Sequence, residues 1–139
     1  MEKSQVICDT DVIIDYLDHQ QPRRLYVKEV LENEVGLDYI TLSAISKMEL
    51  IRGVPNKNSL LSLNKNIHRF NILLINPAIT PIALQLIEDY NLSHGLAIPD
   101  ALIAATTIYA DLKLFTFNIR DFRFIRNLEL FQPLSKNIL

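Results

Sequence analysis

The stretch VICDTDVII, residues 6–14, decides how the rest of the chain is read. Gln5 to Cys8 is a short apolar run with the character of a buried strand, and it ends on an acid, Asp9. From Asp11 to His19 the apolar residues Val12, Ile13, Tyr16 and Leu17 fall at helical spacing. A carboxylate between a buried strand and a helix stands where desolvation is costly unless something partners it. The bland account of Asp9 is a turn or N-cap acid for the following helix. Asp11 competes for that role and reads as a cap or a supporting residue.

Three more segments repeat the pattern. They are ISKMELIRG (45–53) around Glu49, AIPDALIAATTI (97–108) around Asp100, and FTFNIRDF (115–122) around Asp121. Glu49 borders an apolar helix face, and its bland reading is an i,i+3 pair with Arg52 worth about 0.2–0.5 kcal/mol. Asp100 follows Pro99 in the first turn of a strongly apolar helix, where the dipole returns roughly 0.3–1 kcal/mol. Deep in apolar sequence that return is smaller than the desolvation cost. Asp121 has the alternative of an Asx-type turn. Thr116 and Asn118, two apart at a strand end, face one side and can hydrogen-bond and orient carboxylates. If folding gathers the four acids, divalent metal is the simplest way to neutralise them.

The remaining pattern alternates strands and helices. After Pro22 the residues Leu25, Val27, Val30 and Leu31 carry a helix to about Glu34, broken at Gly36. Leu37–Thr41 reads as a second strand. Ser43 is an N-cap for a helix from Ala44 to Ile51, and Asn58–Phe70 is a further helix. Asn71–Ile75 is a third strand. A helix opens at Thr80-Pro81 and ends near Gly95, and another runs from Pro99 to about Ala110. The latter is apolar nearly all round, which places it centrally. Lys113–Phe117 is a fourth strand and Leu128–Phe131 a fifth. Such alternation implies an α/β fold with a mainly parallel sheet of four to five strands and helices on both faces. In these sheets ligands bind beyond the carboxyl ends of the strands.

The 139 residues, 49% hydrophobic and 22% charged, fit one domain with one core, residues 1–139. Only 3 Gly and 6 Pro and no biased tract leave nothing that reads as disordered. The single cysteine, Cys8, excludes an intrachain disulfide and suits a reducing cytosol. It reads as a small buried hydrophobe rather than a nucleophile. The opening residues reach two acids too early for a secretory signal, and no apolar run is long enough to span a bilayer. The expectation is therefore a cytoplasmic protein without a membrane partner. The net charge of −2 does not attract nucleic acid overall. Four acids withdrawn into one site, however, leave the rest slightly positive. His19, His68 and His94 share no metal-ligand spacing and are assigned no chemistry. Lys47, Arg52, Arg120, Arg123 and Arg126 are candidates for contact with a nucleic-acid backbone, set against the ordinary reading of solvated helix charges.

Together Asp9–Asp15, Ser43–Leu50, Pro99–Thr106 and Thr116–Phe122 resemble the PIN-domain family, in particular the VapC-type toxin ribonucleases of bacteria and archaea. The resemblance spans nearly the whole chain in the right order. It implies a three-layer α/β/α fold. It makes Asp9, Glu49, Asp100 and Asp121 a cluster holding Mg²⁺ or Mn²⁺, supported by Thr116 and Asn118. It also implies single-stranded or looped RNA as substrate, a 5′-phosphate product, a homodimer, and a small antitoxin that blocks the site. Two positions depart from the family pattern: Asn is often found where this chain has Asp11, and a basic residue is frequent where it has Phe117. Two rival readings stand beside this one. Asp9-Thr10-Asp11-Val12 resembles the first motif of the haloacid dehalogenase phosphatases, with Asp9 as nucleophile, but a downstream Gly-Asp pair is missing. A non-catalytic module binding RNA or a protein partner is the other.

Overall fold

The structure is a computed structural model that describes residues 3–136. Five strands form a single sheet in the order β3-β2-β1-β4-β5. They are β1 (Val6–Cys8), β2 (Ile40–Ser43), β3 (Asn71–Leu73), β4 (Lys113–Phe115) and β5 (Glu129–Leu130). Every neighbouring pair is parallel. Central parallel strands are covered on both faces, and β1 and β2 are accordingly buried at every residue.

Strand alternation sorts the core into two layers rather than the one expected. Val6, Cys8, Ile40, Leu42 and Phe115 point to one face. There they meet helices α1 (Thr10–Leu17), α2 (Arg24–Glu29) and α4 (Lys57–Ile67) through Val12, Ile13, Val27, Leu63 and Ile67. Ile7 and Leu114 point to the other face, against α5 (Ile79–His94) and α6 (Ile98–Ala110). Helix α3 (Ala44–Arg52) follows β2, and the short α7 (Ile119–Phe122) follows β4. The result is the three-layer α/β/α arrangement.

Most predicted elements appear within a few residues of their expected ends. The helix expected to run to Glu34 changes pitch instead. After α2 the chain widens into a π-helical turn over Val30–Val35, closed by the Gly36 N–H donating to the Leu31 carbonyl five residues back, at 2.9 Å. The wider winding buries Val30, Leu31 and Val35 together. The strand expected from Leu37 starts only at Ile40, because Leu37–Tyr39 form a 3-10 turn after Gly36 at φ 90°. The strand expected to reach Phe117 stops at Phe115, since the next residues are engaged in the site. Helix α6 is buried along Ala101 and Ile103–Thr107, as its apolar composition requires. The hydroxyls of Thr106 and Thr107 return to the carbonyls of Leu102 and Ile103. Among the described residues no helix is long and apolar enough to cross a membrane.

Candidate functional site: an acidic crevice at the carboxyl end of the sheet

The strand order reverses direction at β1. The chain first builds outward through β2 and β3, then crosses to β4 and β5 on the other side. The gap beyond the carboxyl ends of β1 and β4 is a topological switch point, where such sheets bind ligands. Asp9 stands at the end of β1 in that gap, with 4% of its surface exposed. It is the N-cap of α1, so the bland reading of this residue is also correct. Its Oδ1 accepts from the Thr10 N–H at 2.8 Å. Its Oδ2 accepts from the Thr116 hydroxyl at 2.8 Å, across 107 residues of sequence. The Thr116 oxygen in turn accepts from the Asn118 N–H at 3.0 Å. Asn118 thus contributes its backbone, not the side-chain bond expected from the sequence.

The other acids surround this pair. Asp100 lies in the first turn of α6 and is half-buried. Asp121 is exposed in α7. Glu49 is exposed on α3, and its Oε1 accepts from the Thr10 hydroxyl at 2.6 Å. The bland alternative for Glu49, a pair with Arg52, does not occur among the salt bridges of the described residues. Thr10 Oγ1 also lies 3.0 Å from Ser46 Oγ. A hydroxyl has one proton and a carboxylate only accepts, so Thr10 gives its proton to Glu49 while Ser46 donates to Thr10. Ser46 itself is set by Ser43, whose Oγ accepts the Ser46 N–H at 3.0 Å as the cap of α3.

The four carboxylates lie within electrostatic reach of one another. Burial raises the pKa of Asp9, hydrogen bonds from Thr116 and Thr10 lower it, and the charges of Glu49 and Asp121 raise it again. Burial, then Asp9, Asp121 and Glu49, push Asp100 up to about 6. Asp11 also reaches about 6, through burial and then Asp9, against donors from Phe117 and Val12 and the charge of Arg23. Asp11 binds the Phe117 N–H at 3.0 Å and so ties α1 to the segment after β4. Cys8 is fully buried, and burial together with Asp9 and Asp11 pushes its thiol up, which keeps it neutral.

The donor set is entirely carboxylate and hydroxyl oxygen, the chemistry a hard divalent cation prefers. None of the four acids takes part in a salt bridge among the described residues. Nor is any group of three or more His, Cys, Asp or Glu side chains there arranged to hold a metal ion by itself. The acids therefore sense one another at electrostatic range without forming a finished cage. A cation that keeps several waters and takes one or two carboxylates suits such an arrangement.

Sequence reading missed three contributors. Ser46 lies midway between Ser43 and Glu49 on one turn-spaced face of α3, so its support of Thr10 and Glu49 was legible in principle. Thr10 was overshadowed by its acidic neighbours. Arg23 had no local signal. Its guanidinium lies 3.9 Å over the Phe117 ring and its Nε is 2.8 Å from Asp15. A cation thus reaches the segment after β4 from the entry to α2, although that segment carries Phe117.

The fold and crevice define a class: a parallel three-layer α/β/α protein with carboxylates gathered at its switch point. A family model for the PIN domain matches residues 6–127, and the chain belongs to that family. Among curated proteins it is similar to Ribonuclease VapC19 of Mycobacterium tuberculosis, 29% identical over 124 residues that cover 88% of this chain and 96% of the relative. Among solved structures it is similar to a toxin-antitoxin complex from Klebsiella pneumoniae. There the TM-score is 0.73 at 27% identity, covering 89% of this chain and 95% of the other. It is also similar to VapBC2 from Rickettsia felis bound to a DNA fragment from its promoter, with a TM-score of 0.71 at 25% identity, covering 90% and 96%. Family membership replaces the phosphatase reading of Asp9.

Proposed function

We propose that this chain, residues 1–139 acting as one nuclease domain, is a metal-dependent endoribonuclease and the toxin of a toxin–antitoxin pair. The observation that carries the reading is the Thr116–Asp9 hydrogen bond at the switch point, with Glu49, Asp100 and Asp121 within electrostatic reach. The likeness to Ribonuclease VapC19 and to the Klebsiella toxin-antitoxin complex supports it.

In this reading Asp9, Glu49, Asp100 and Asp121 hold Mg²⁺ or Mn²⁺. The ion, when bound, supplies an activated water and offsets charge on the phosphoryl group. The chain's own residues prepare that chemistry. Thr116 and Thr10 fix both oxygens of Asp9, and Thr10, steadied by Ser46, fixes Glu49. Asp100 enters from a rigid buried helix, so it is held in place without a mobile loop. The substrate is single-stranded or looped RNA, whose products carry a 5′-phosphate. The partners are a small antitoxin that covers the acidic cleft and a second copy of the chain.

Purified protein with labelled RNA tests this. Cleavage is expected in Mg²⁺ or Mn²⁺, stopped by chelation and lost in Asp100→Asn. Hydrolysis of a phosphomonoester with a trapped phospho-Asp9 would overturn the reading.

A further inference from the structure

Beside the acids lies an open groove of about 610 Å³, within the roughly 300–1,000 Å³ range of small-ligand clefts. Asp100 and Asp121 form part of its wall. Arg120, Arg123, His94 and Phe124 also line it, and their character is opposite. Neither arginine enters a salt bridge among the described residues, so both charges are available to an anion.

The aromatic pair is set in place. The His94 ring lies parallel to Phe124, 4.0 Å between centroids and 9° between planes. Tyr90 braces both rings edge-on, at 6.0 Å from His94 and 5.2 Å from Phe124. The Tyr90 oxygen accepts from the Arg126 N–H, which ties α5 to the segment after α7. Ser93 Oγ lies 2.7 Å from His94 Nδ1 and limits rotation of the imidazole. One face of His94 is therefore covered by Phe124, while the residue as a whole is exposed. A flat ring braced on one face, beside two guanidinium groups that enter no salt bridge among the described residues, offers what a nucleotide requires: a stacking surface and a phosphate contact.

We propose that this groove seats one nucleotide of the RNA strand next to the scissile phosphate, its base stacked on His94 and its phosphate held by Arg123 with Arg120. The proposal rests on the ribonuclease reading and names the site's substrate-positioning residues. The bland account of His94 is a polar residue in the last turn of α5, favoured there by the helix dipole. That account gives His94 no dependence on the base.

The test follows binding of a short single-stranded oligoribonucleotide by fluorescence anisotropy with Ca²⁺ present, alongside KM and kcat for cleavage in Mn²⁺. His94→Ala is expected to weaken binding roughly tenfold and raise KM, with kcat little changed. His94→Phe, which keeps the stacking face, is expected to restore both. An abasic nucleotide at the seated position should cost the parent a similar factor and cost His94→Ala nothing further. Arg123→Gln should reduce the slope of log affinity against log salt by about 0.7. Unchanged binding by His94→Ala, or an abasic loss equal in parent and variant, overturns the groove assignment alone. Binding that depends on His94 without cleavage keeps the groove and sinks the ribonuclease reading. Absence of any RNA binding sinks both.

Discussion

The two ends of the sheet treat their carboxylates in opposite ways. At the amino end, Glu34 accepts from the N–H groups of Leu134 and Ser135 at 2.8 and 2.6 Å. Burial raises its pKa, but the side-chain and backbone donors of Ser135 and the Leu134 N–H outweigh this, and the net shift is downward. Nearby, Asp38 pairs with Arg69 at 3.0 Å. At the carboxyl end, Asp9, Asp11 and Asp100 are all shifted upward, with burial the first cause and a neighbouring acid among the rest. One end is satisfied by the protein itself. The other gathers carboxylates that burial and their neighbours push upward, and none of Asp9, Glu49, Asp100 and Asp121 enters a salt bridge among the described residues. Unrelieved electrostatic strain of this kind marks functional sites.

The contrast breaks most sharply at Asp100. Asp100→Asn keeps the shape and removes a charge. If the carboxyl end is built for metal, RNA cleavage falls by more than the roughly 100-fold that bounds the loss of a supporting residue. In the same variant the metal-free protein melts higher, because a repelling acid is gone. Loss of activity together with loss of fold would undo the interpretation. Thr116→Val comes next. It deletes the hydroxyl that Asp9 Oδ2 and the Asn118 N–H both use. The expected costs are roughly 10- to 100-fold in activity and about 1–3 kcal/mol in stability. Cleavage kinetics and thermal melts measure both.

How much of this was legible before folding follows from the range of each interaction. The parallel α/β class came from local periodicity, and the Ser43 cap and the Gly95 helix stop came from side-chain chemistry within a few residues. All four acids stood out because apolar sequence surrounded each one. Their mutual arrangement was a different matter, since Thr116 meets Asp9 across 107 residues and Thr10 meets Glu49 across 39. Only the strand order brings such partners together. The π-helical turn before Gly36 was invisible because i+4 and i+5 windings bury nearly the same apolar residues. His94 shares no ligand spacing with another histidine, so its local sequence carries no signal. Its relevance comes from stacking on Phe124, 30 positions away in sequence.

Metal and pH sharpen the comparison at intermediate size. Asp11 and Asp100 titrate near 6 in the folded chain, above their ordinary unfolded range near 3.8. Between those values the folded state binds more protons, so stability falls as pH rises through this window. From these groups the metal-free protein is therefore expected to melt higher at pH 5 than at pH 7, which thermal melts at the two pH values check. Millimolar Mn²⁺ should raise the melting temperature at pH 7, by the equivalent of about 2.7 kcal/mol at a hundredfold excess over Kd. It should do less at pH 5, where protons compete for the same oxygens. A melting curve indifferent to Mn²⁺ at pH 7 would count against a metal site.

The smallest effect belongs to the satisfied end. Glu34→Gln retains one acceptor oxygen but turns an amide toward a backbone N–H that a carboxylate had bound. The expected cost is about 0.5–1.5 kcal/mol at pH 7, near the value of one ordinary hydrogen bond. The sign with pH is the reverse of that at the crevice. A depressed carboxylate contributes stability above its unfolded pKa and loses it as pH falls through the folded value. Glu34→Gln should therefore be nearly silent in acid and destabilising at neutral pH, while RNA cleavage stays at the parental rate. Thermal melts across pH, read beside cleavage assays, separate the two ends. If Glu34→Gln altered cleavage as Thr116→Val does, the ends would not be independent, and the division between structural and functional acids would fail.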